Sequence, residues 1–379
     1  MKRLVFIICI AFCFASCGNK GDEPAPTPPA TAERTLLVYM VANNDLGQRG
    51  YDDADITEMR AAARSGGLGK GRLLLMHQSS KGRSVLKEIN TKGNIDTLLI
   101  YDDAEPAVSI ARMTRVFDDM KRLAPAETYG LVLWSHGSGW LEDGWADPDA
   151  GKKRAFGLDG TRSMNITSLA QALQGRGFDY VYFDCCHMAS VEVAYELRNA
   201  TDYIVGSVTE LPNYGMPYDA NIPLLLKREP DLKGAAANTF NLYDEKTGSG
   251  RTCTISVIST AALDDLAAAT RLVYTTATPL NSGATPQAFE RGTTCRFFDM
   301  EDYMERIATD KEALDKWREA LRRSVLYSAA TPEIFNRLDI KRHCGLSTFT
   351  PRSAADINLY GYNSLQWATD VAGTLPWTK

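Results

Sequence analysis

The chain has no excess of basic residues, only four histidines, no CxxC cysteine pair and only one long apolar run. Each shortage excludes something. Lys+Arg number 42 against 47 Asp+Glu, for a formal net charge of -5, and loss of Lys2 and Arg3 would make the balance more negative still. Nothing is left over to neutralise phosphates, so nucleic acid is not an expected partner. The apolar run at residues 4–16 has about two-thirds of the length a bilayer-spanning helix needs, which excludes a multi-span membrane protein. Wholesale disorder is also excluded, because 44% hydrophobic and 9% aromatic residues are ordinary globular values. A chain of 379 residues has room for about two domains, or one large α/β domain with additions.

What is present begins with an address. Lys2 and Arg3 precede the apolar residues 4–14, then Ala15, Ser16 and Cys17, the layout of a secretory signal. The quartet Phe14-Ala15-Ser16-Cys17 resembles a bacterial lipobox, with Phe14 where leucine is usual. That resemblance implies lipidation of Cys17 and a membrane-anchored lipoprotein of the cell envelope, periplasmic or surface-exposed. Residues 18–33 contain Pro24, Pro26, Pro28 and Pro29 and no aromatic residue, so they read as an extended tether. Outside the export segment the cysteines are Cys185, Cys186, Cys253, Cys295 and Cys344. Five is odd, and their spacing fits no disulfide ladder, so at least one thiol should stay free in an oxidising compartment.

From residue 34 short apolar runs alternate with helical spacing. Residues 35–42, 72–77, 129–134, 180–183 and 203–208 read as buried strands; 52–65, 109–123, 167–174 and 188–199 read as helices. Runs that are apolar on both faces predict a mostly parallel α/β sheet covered by helices on both sides. Residues 83–101 read as a hairpin turning at Lys92-Gly93-Asn94. A catalytic domain is expected over 34–260. Over 261–379 a mainly helical extension on the same sheet is expected, with helices at 262–274, 301–307 and 310–328 and a late strand at 345–350.

Reactive groups in such sheets collect beyond the carboxyl ends of the strands. His136 follows the run 129–134 and enters the glycine-rich segment Gly137-Ser138-Gly139, and fifty residues later Asp184-Cys185-Cys186-His187 follows the next run. Neighbouring parallel strands would deliver His136 and a cysteine to one edge. A helix opening at Met188 would lower the thiol's pKa through its dipole, as would a nearby imidazole. Gly137 allows a backbone N–H to approach a developing oxyanion. Zinc bound by Cys185, Cys186, His187 and His136 is disfavoured, because adjacent residues rarely chelate one tetrahedral ion. Asp143, Asp147 and Asp149 form an acidic loop without EF-hand spacing, expected to be solvated.

These blocks resemble the clostripain family of cysteine peptidases, relatives of caspases, legumain and gingipains. The resembling pieces are Tyr39-Met40, Asn44-Asp45-Leu46, the segment Leu133-Trp134-Ser135-His136-Gly137-Ser138-Gly139-Trp140, the segment Phe183-Asp184-Cys185-Cys186-His187-Met188, and Gly215-Met216-Pro217-Tyr218. Gly345-Leu346-Ser347-Thr348-Phe349 and Leu365-Gln366-Trp367 look similar as well. The order and the fifty-residue spacing of His and Cys are also those of caspases. The resemblance implies a caspase-like fold and a thiol endopeptidase with a Cys-His dyad, Cys186 as nucleophile and His136 as base. Where the family has leucine after the nucleophile, this chain has His187.

Further implications are cleavage of protein or peptide substrates after Arg or Lys, maturation by cleavage between the two catalytic blocks, and calcium dependence in some members. Lys152, Lys153 and Arg154 are the candidate internal cleavage sites, and no cofactor is otherwise expected. Strand alternation puts Asp184 on the same side as Cys186, where its carboxylate could bind a basic side chain; capping of a following helix is its alternative role. Glu210 is the candidate second acid of that pocket. The competing readings are an inactive peptidase fold serving as a binding or scaffold module, and a different hydrolase on a doubly wound sheet.

Overall fold

The computed structural model describes residues 31–141, 146–147, 151–152, 155–281, 283–292 and 294–378. Cys17, Asp143, Asp149, Lys153 and Arg154 lie outside the described residues. Asp147 and Lys152 are described only as backbone, in the paired short strands Ala146–Asp147 and Gly151–Lys152.

Nine strands make the central sheet: β1 Ala32–Val41, β2 Arg72–Gln78, β3 Ser84–Ile89, β4 Ile95–Tyr101, β5 Ala126–Trp134, β6 Phe178–Asp184, β7 Thr201–Gly206, β8 Thr254–Ser259 and β9 Val325–Ala330. Their spatial order is β9-β8-β7-β6-β5-β1-β2-β3-β4. The middle five pair in parallel and both flanks are antiparallel. Leu36 to Ala42 are fully buried, as a central strand covered on both faces must be. The chain leaves β1 towards β2 and returns to β5 on β1's other side, so the strand order switches between β1 and β5. A crevice outside the carboxyl ends of strands belongs at such a switch.

Helices cover both faces. On one side Met113, Val116, Phe117 and Met120 of α2 (Ile110–Leu123) pack on Leu37, Tyr39, Leu131 and Val181. On the other, Ile56, Met59, Ala62 and Ala63 of α1 (Tyr51–Arg64) meet Leu36, Val38 and Leu75. α2 begins where the Ser109 hydroxyl accepts from the Arg112 N–H at 3.0 Å, satisfying one of the helix's orphan donors. α3 (Ile166–Leu173), α4 (Val191–Glu196), α7 (Leu263–Tyr274), α8 (Met300–Ile307) and α9 (Lys311–Ser324) join α2's side, while α5 (Tyr218–Leu225) and α6 (Leu232–Asp244) join α1's.

Three expectations need correcting. The helix expected over 310–328 stops at Ser324, and Val325–Ala330 becomes β9, because β8 exposes an edge that pairs Ser256 with Ser328 and Val257 with Tyr327. The late strand shrinks to Ser347–Thr348, paired with Phe298–Asp299. The helix expected from Met188 begins only at Val191, capped by the Ser190 hydroxyl. Residues 187 and 189 instead donate their N–H groups to the carbonyls of Thr209 and Ser207, a ladder incompatible with a helical turn. Among the described residues no helix is long and apolar enough to cross a membrane.

Candidate active site

Trp134 at the end of β5 is the register partner of Asp184 at the end of β6. His136 and Cys186 each stand two residues further on, so the two strands release them side by side. The fit is tight: a Cβ on Gly137 would lie 2.7 Å from the Cys186 carbonyl oxygen and 2.9 Å from Cys185 Cβ. Only glycine permits that approach. His136 O and Ser138 N bond to Gly157 and Ala155, an arrangement in which the intervening N–H of Gly137 bonds no described residue and can serve an oxyanion.

The two cysteines part company. Cys185 is buried, its thiol donates to the Leu133 carbonyl at 3.1 Å, and burial pushes its pKa well up. An inert thiol results. Cys186 is half-buried, and its sulfur accepts from the Leu211 N–H at 3.4 Å, a contact that favours the thiolate. The helix dipole does not assist, since α4 starts five residues later and is one short helix of six residues.

His136 is oriented by a group the sequence reading had not assigned. Its Nε2 lies 2.7 Å from Asp45 Oδ1, in the one-turn helix Asp45–Gln48 just past β1. Partial burial would raise the Asp45 pKa, but the hydrogen bond and charge of His136 outweigh it and hold the carboxyl low. Neighbouring Ser135 bonds the Val41 carbonyl at 2.8 Å and receives the Leu158 N–H at 3.1 Å, which fixes the backbone that carries the imidazole. Asp45, His136 and Cys186 thus come from the ends of three adjacent parallel strands. The signal was available, because Asp45 obeys the same strand-end rule.

Asp184 does not cap a helix. It is buried, and its Oδ2 accepts from the Met216 N–H at 3.2 Å and the Tyr218 hydroxyl at 3.1 Å. Its Oδ1 bonds no described residue. Gly215 wraps this carboxylate at φ +62, and a Cβ there would stand 2.5 Å from Oδ2, so the turn needs glycine twice over. Burial raises the Asp184 pKa to about 6. Neighbouring Asp55, whose carboxylate receives the Trp134 indole N–H at 2.7 Å, is raised further, to about 9, by burial and by Asp184's charge. Burial disfavours charge on both carboxyls, and the two donors to Asp184 offset part of that cost there.

His187 is no second base. It is buried at φ +59, its Nδ1 lies 3.1 Å from the Val208 carbonyl, and its ring stacks on Phe297 at 5.0 Å between centroids. Glu210 does lie beside Cys186 in the fold, between Thr209, whose carbonyl holds the His187 N–H, and Leu211, whose N–H holds the Cys186 sulfur. It is not an open anion, however, because Arg291 grips it through Nε and a terminal nitrogen at 2.5 and 2.9 Å. No sequence pattern links positions 81 residues apart.

The clostripain family model matches residues 38–328, with these strand ends inside it. The chain belongs to the clostripain family. It is a cysteine peptidase with the caspase-like fold. A secreted C11 cysteine protease of Bacteroides thetaiotaomicron, "iotapain", superposes with a TM-score of 0.80 at 24% identity, covering 90% of this chain and 100% of that one; at that identity the likeness speaks to the fold. An inactive zymogen C11 protease of Parabacteroides distasonis superposes with a TM-score of 0.77 at 29% identity, covering 90% and 99%. A secreted C11 protease of B. thetaiotaomicron in complex with an irreversible peptide inhibitor gives 0.77 at 27%, covering 89% and 98%. No curated protein matches the chain in sequence. The segment Gly215-Met216-Pro217-Tyr218 has a physical role here: Gly215, Met216 and Tyr218 build the cradle of Asp184.

Proposed function

We propose that this family member is an endopeptidase that uses Cys186 and His136 as a dyad and cleaves after Arg or Lys. His136, oriented by Asp45, takes the thiol proton; the sulfur attacks the scissile carbonyl carbon while Gly137 faces the oxyanion. The C–N bond then breaks, the imidazolium returns its proton to the leaving amine, and water hydrolyses the acyl-enzyme. The observation that carries the substrate reading is Asp184: a buried carboxylate two residues before the nucleophile, with one oxygen held by two donors and the other bonded to no described residue. A guanidinium or ammonium reaching Oδ1 would make a desolvated, charge-assisted bond. Two fluorogenic peptides differing only in Arg versus Leu before the bond test it. Equal cleavage of both would remove the basic-pocket reading.

The competing inactive scaffold predicts no rapid alkylation of Cys186 by iodoacetamide at neutral pH, whereas the dyad predicts preferential labelling of Cys186 over buried Cys185. Internal cleavage at Lys152, Lys153 or Arg154 is supported by their place between the two catalytic blocks; an intact chain in active preparations, migrating like Cys186→Ala, would end the idea. Lipidation at Cys17 rests on the lipobox-like quartet and gives a membrane-anchored envelope protein. Identical aqueous-phase partitioning of wild type and Cys17→Ala would refute it.

A further inference from the structure

In the C-terminal region Phe289 donates its N–H to the Phe297 carbonyl at 2.9 Å, which ties the described residues 289–292 to residues 294–297. The tie is locked by Glu290 and Arg296, an ion pair at 2.5 Å with side chains 6% and 2% exposed. Next to that locked pair stands a different one. Arg291 reaches out to Glu210, and its guanidinium lies 4.7 Å from the centroid of the Phe335 ring. Here the side chains are 30% and 34% exposed. Glu210's neighbours in sequence both hold the nucleophile's segment, Thr209 through His187 N–H and Leu211 through the Cys186 sulfur. The hydrogen bond to Glu210 raises the Arg291 pKa and, with Glu210's charge, outweighs the lowering by partial burial.

We infer that Arg291 is a built-in occupant of an acidic subsite at Glu210, and that a substrate's basic side chain must displace its guanidinium to engage there. This rests on the reading that the site takes basic residues, and adds how that selectivity is set. The two-nitrogen grip on Glu210 is the grip a substrate arginine would use, made within the chain. The two pairs divide the labour. The buried Glu290–Arg296 pair is costly to break, because either partner alone would be an uncompensated buried charge. The half-exposed Arg291–Glu210 pair is screened and weak by comparison, so an equivalent cation can exchange with it. A lysine ammonium offers no fork, so the exchange favours arginine over lysine at this subsite. While Arg291 is seated, Glu210 is neutralised beside the nucleophile, and Asp184 keeps one carboxylate oxygen that bonds no described residue.

The test uses the full chain and n-butylguanidinium as probe, read as protection of Cys186 from iodoacetamide. In Arg291→Gln the probe concentration giving half-protection, taken relative to that variant's own probe-free alkylation rate, should fall by about five- to tenfold. In Glu210→Gln, which releases Arg291 but removes the anion, the gain should vanish. Arg291→Lys should lie between wild type and Arg291→Gln. Unchanged or weaker protection in Arg291→Gln would overturn the inference, as would an equal gain in Glu210→Gln. The outcome is separable from the substrate reading. If wild type cleaves Leu and Arg peptides equally, that reading falls, and the probe result still decides whether Arg291 occupies the subsite.

Discussion

The two ends of the parallel strands treat charge in opposite ways. At the amino end Arg34 is fully buried, yet its guanidinium meets Asp179 at 2.6 Å and the carbonyls of Lys227 and Arg228 at 3.0 Å, and lies 5.5 Å from the Tyr180 ring. Arg72 nearby is gripped by both oxygens of Glu88 at 2.7 Å and bonds the Leu123 carbonyl. Opposite charges are matched there, and the result is cement. At the carboxyl end Asp184 and Asp55 are two carboxyls sharing a dry site, one imidazole leans on a surface aspartate, and a thiol lies beside an exchangeable ion pair. Charges there are left partly unmet, at the end where the strand order switches. The difference separates groups that hold the fold from groups kept available for chemistry.

The largest expected effect on that contrast is loss of the Cys186 thiol. Cys186→Ala should lower kcat by on the order of 10⁴-fold or more, with little change in thermal stability. Cys185→Ala, one residue away, should leave kcat within about threefold and lower stability by about 1 kcal/mol. A dead Cys185→Ala with a live Cys186→Ala would mean the reactive thiol has been misassigned. Next, Asp184→Asn should cost about 2–5 kcal/mol in transition-state binding for an Arg peptide and far less for a Leu peptide. Equal losses would reduce Asp184 to an anchor for Met216 and Tyr218.

At the amino end the expectation reverses. Arg34→Ala should lower unfolding stability by about 2–3 kcal/mol, less than for a fully buried pair because Asp179 is about a third exposed. The kcat/KM for the Arg peptide should not change once folding is complete, and a large kinetic effect would break the division between the two ends. The smallest effect is the pH profile. The Asp184 pKa is raised, to about 6, so its carboxylate is protonated below that value and ionised above it. The ratio of Arg to Leu kcat/KM, in which shared catalytic groups cancel, should rise about tenfold from pH 5 to pH 7. Asp184→Asn should flatten the ratio. By the same sign, ionising this buried acid opposes folding, so its contribution to stability is greatest at low pH and is lost as pH rises through about 6.

The central strands were legible because they are apolar on both faces. β1, β2, β5, β6 and β7 fall within about three residues of the runs in the sequence, since periodicity reports burial directly. β9 was not legible. Its residues continue the helical pattern of α9, and only the open edge of β8 makes them a strand. The start of α4 was misread for a related reason: a left-handed backbone at His187 and bonds to residues 207 and 209 override local helix preference.

The sequence by itself determined the alternation of strand and helix, the placement of Asp184 at a strand end and of His136 and Cys186 just past strand ends, and the glycines at 137 and 215 that close approach demands. Each of these is a local property: a period, a spacing, or a residue with no Cβ. Only the tertiary structure decided that Asp45 orients His136 from 91 residues away, that Cys185 turns into the core while Cys186 stays near the surface, and that Arg291 settles on Glu210. Those outcomes depend on which strand ends become neighbours and how deeply each group is desolvated. No run of residues encodes that separately from the packed sheet.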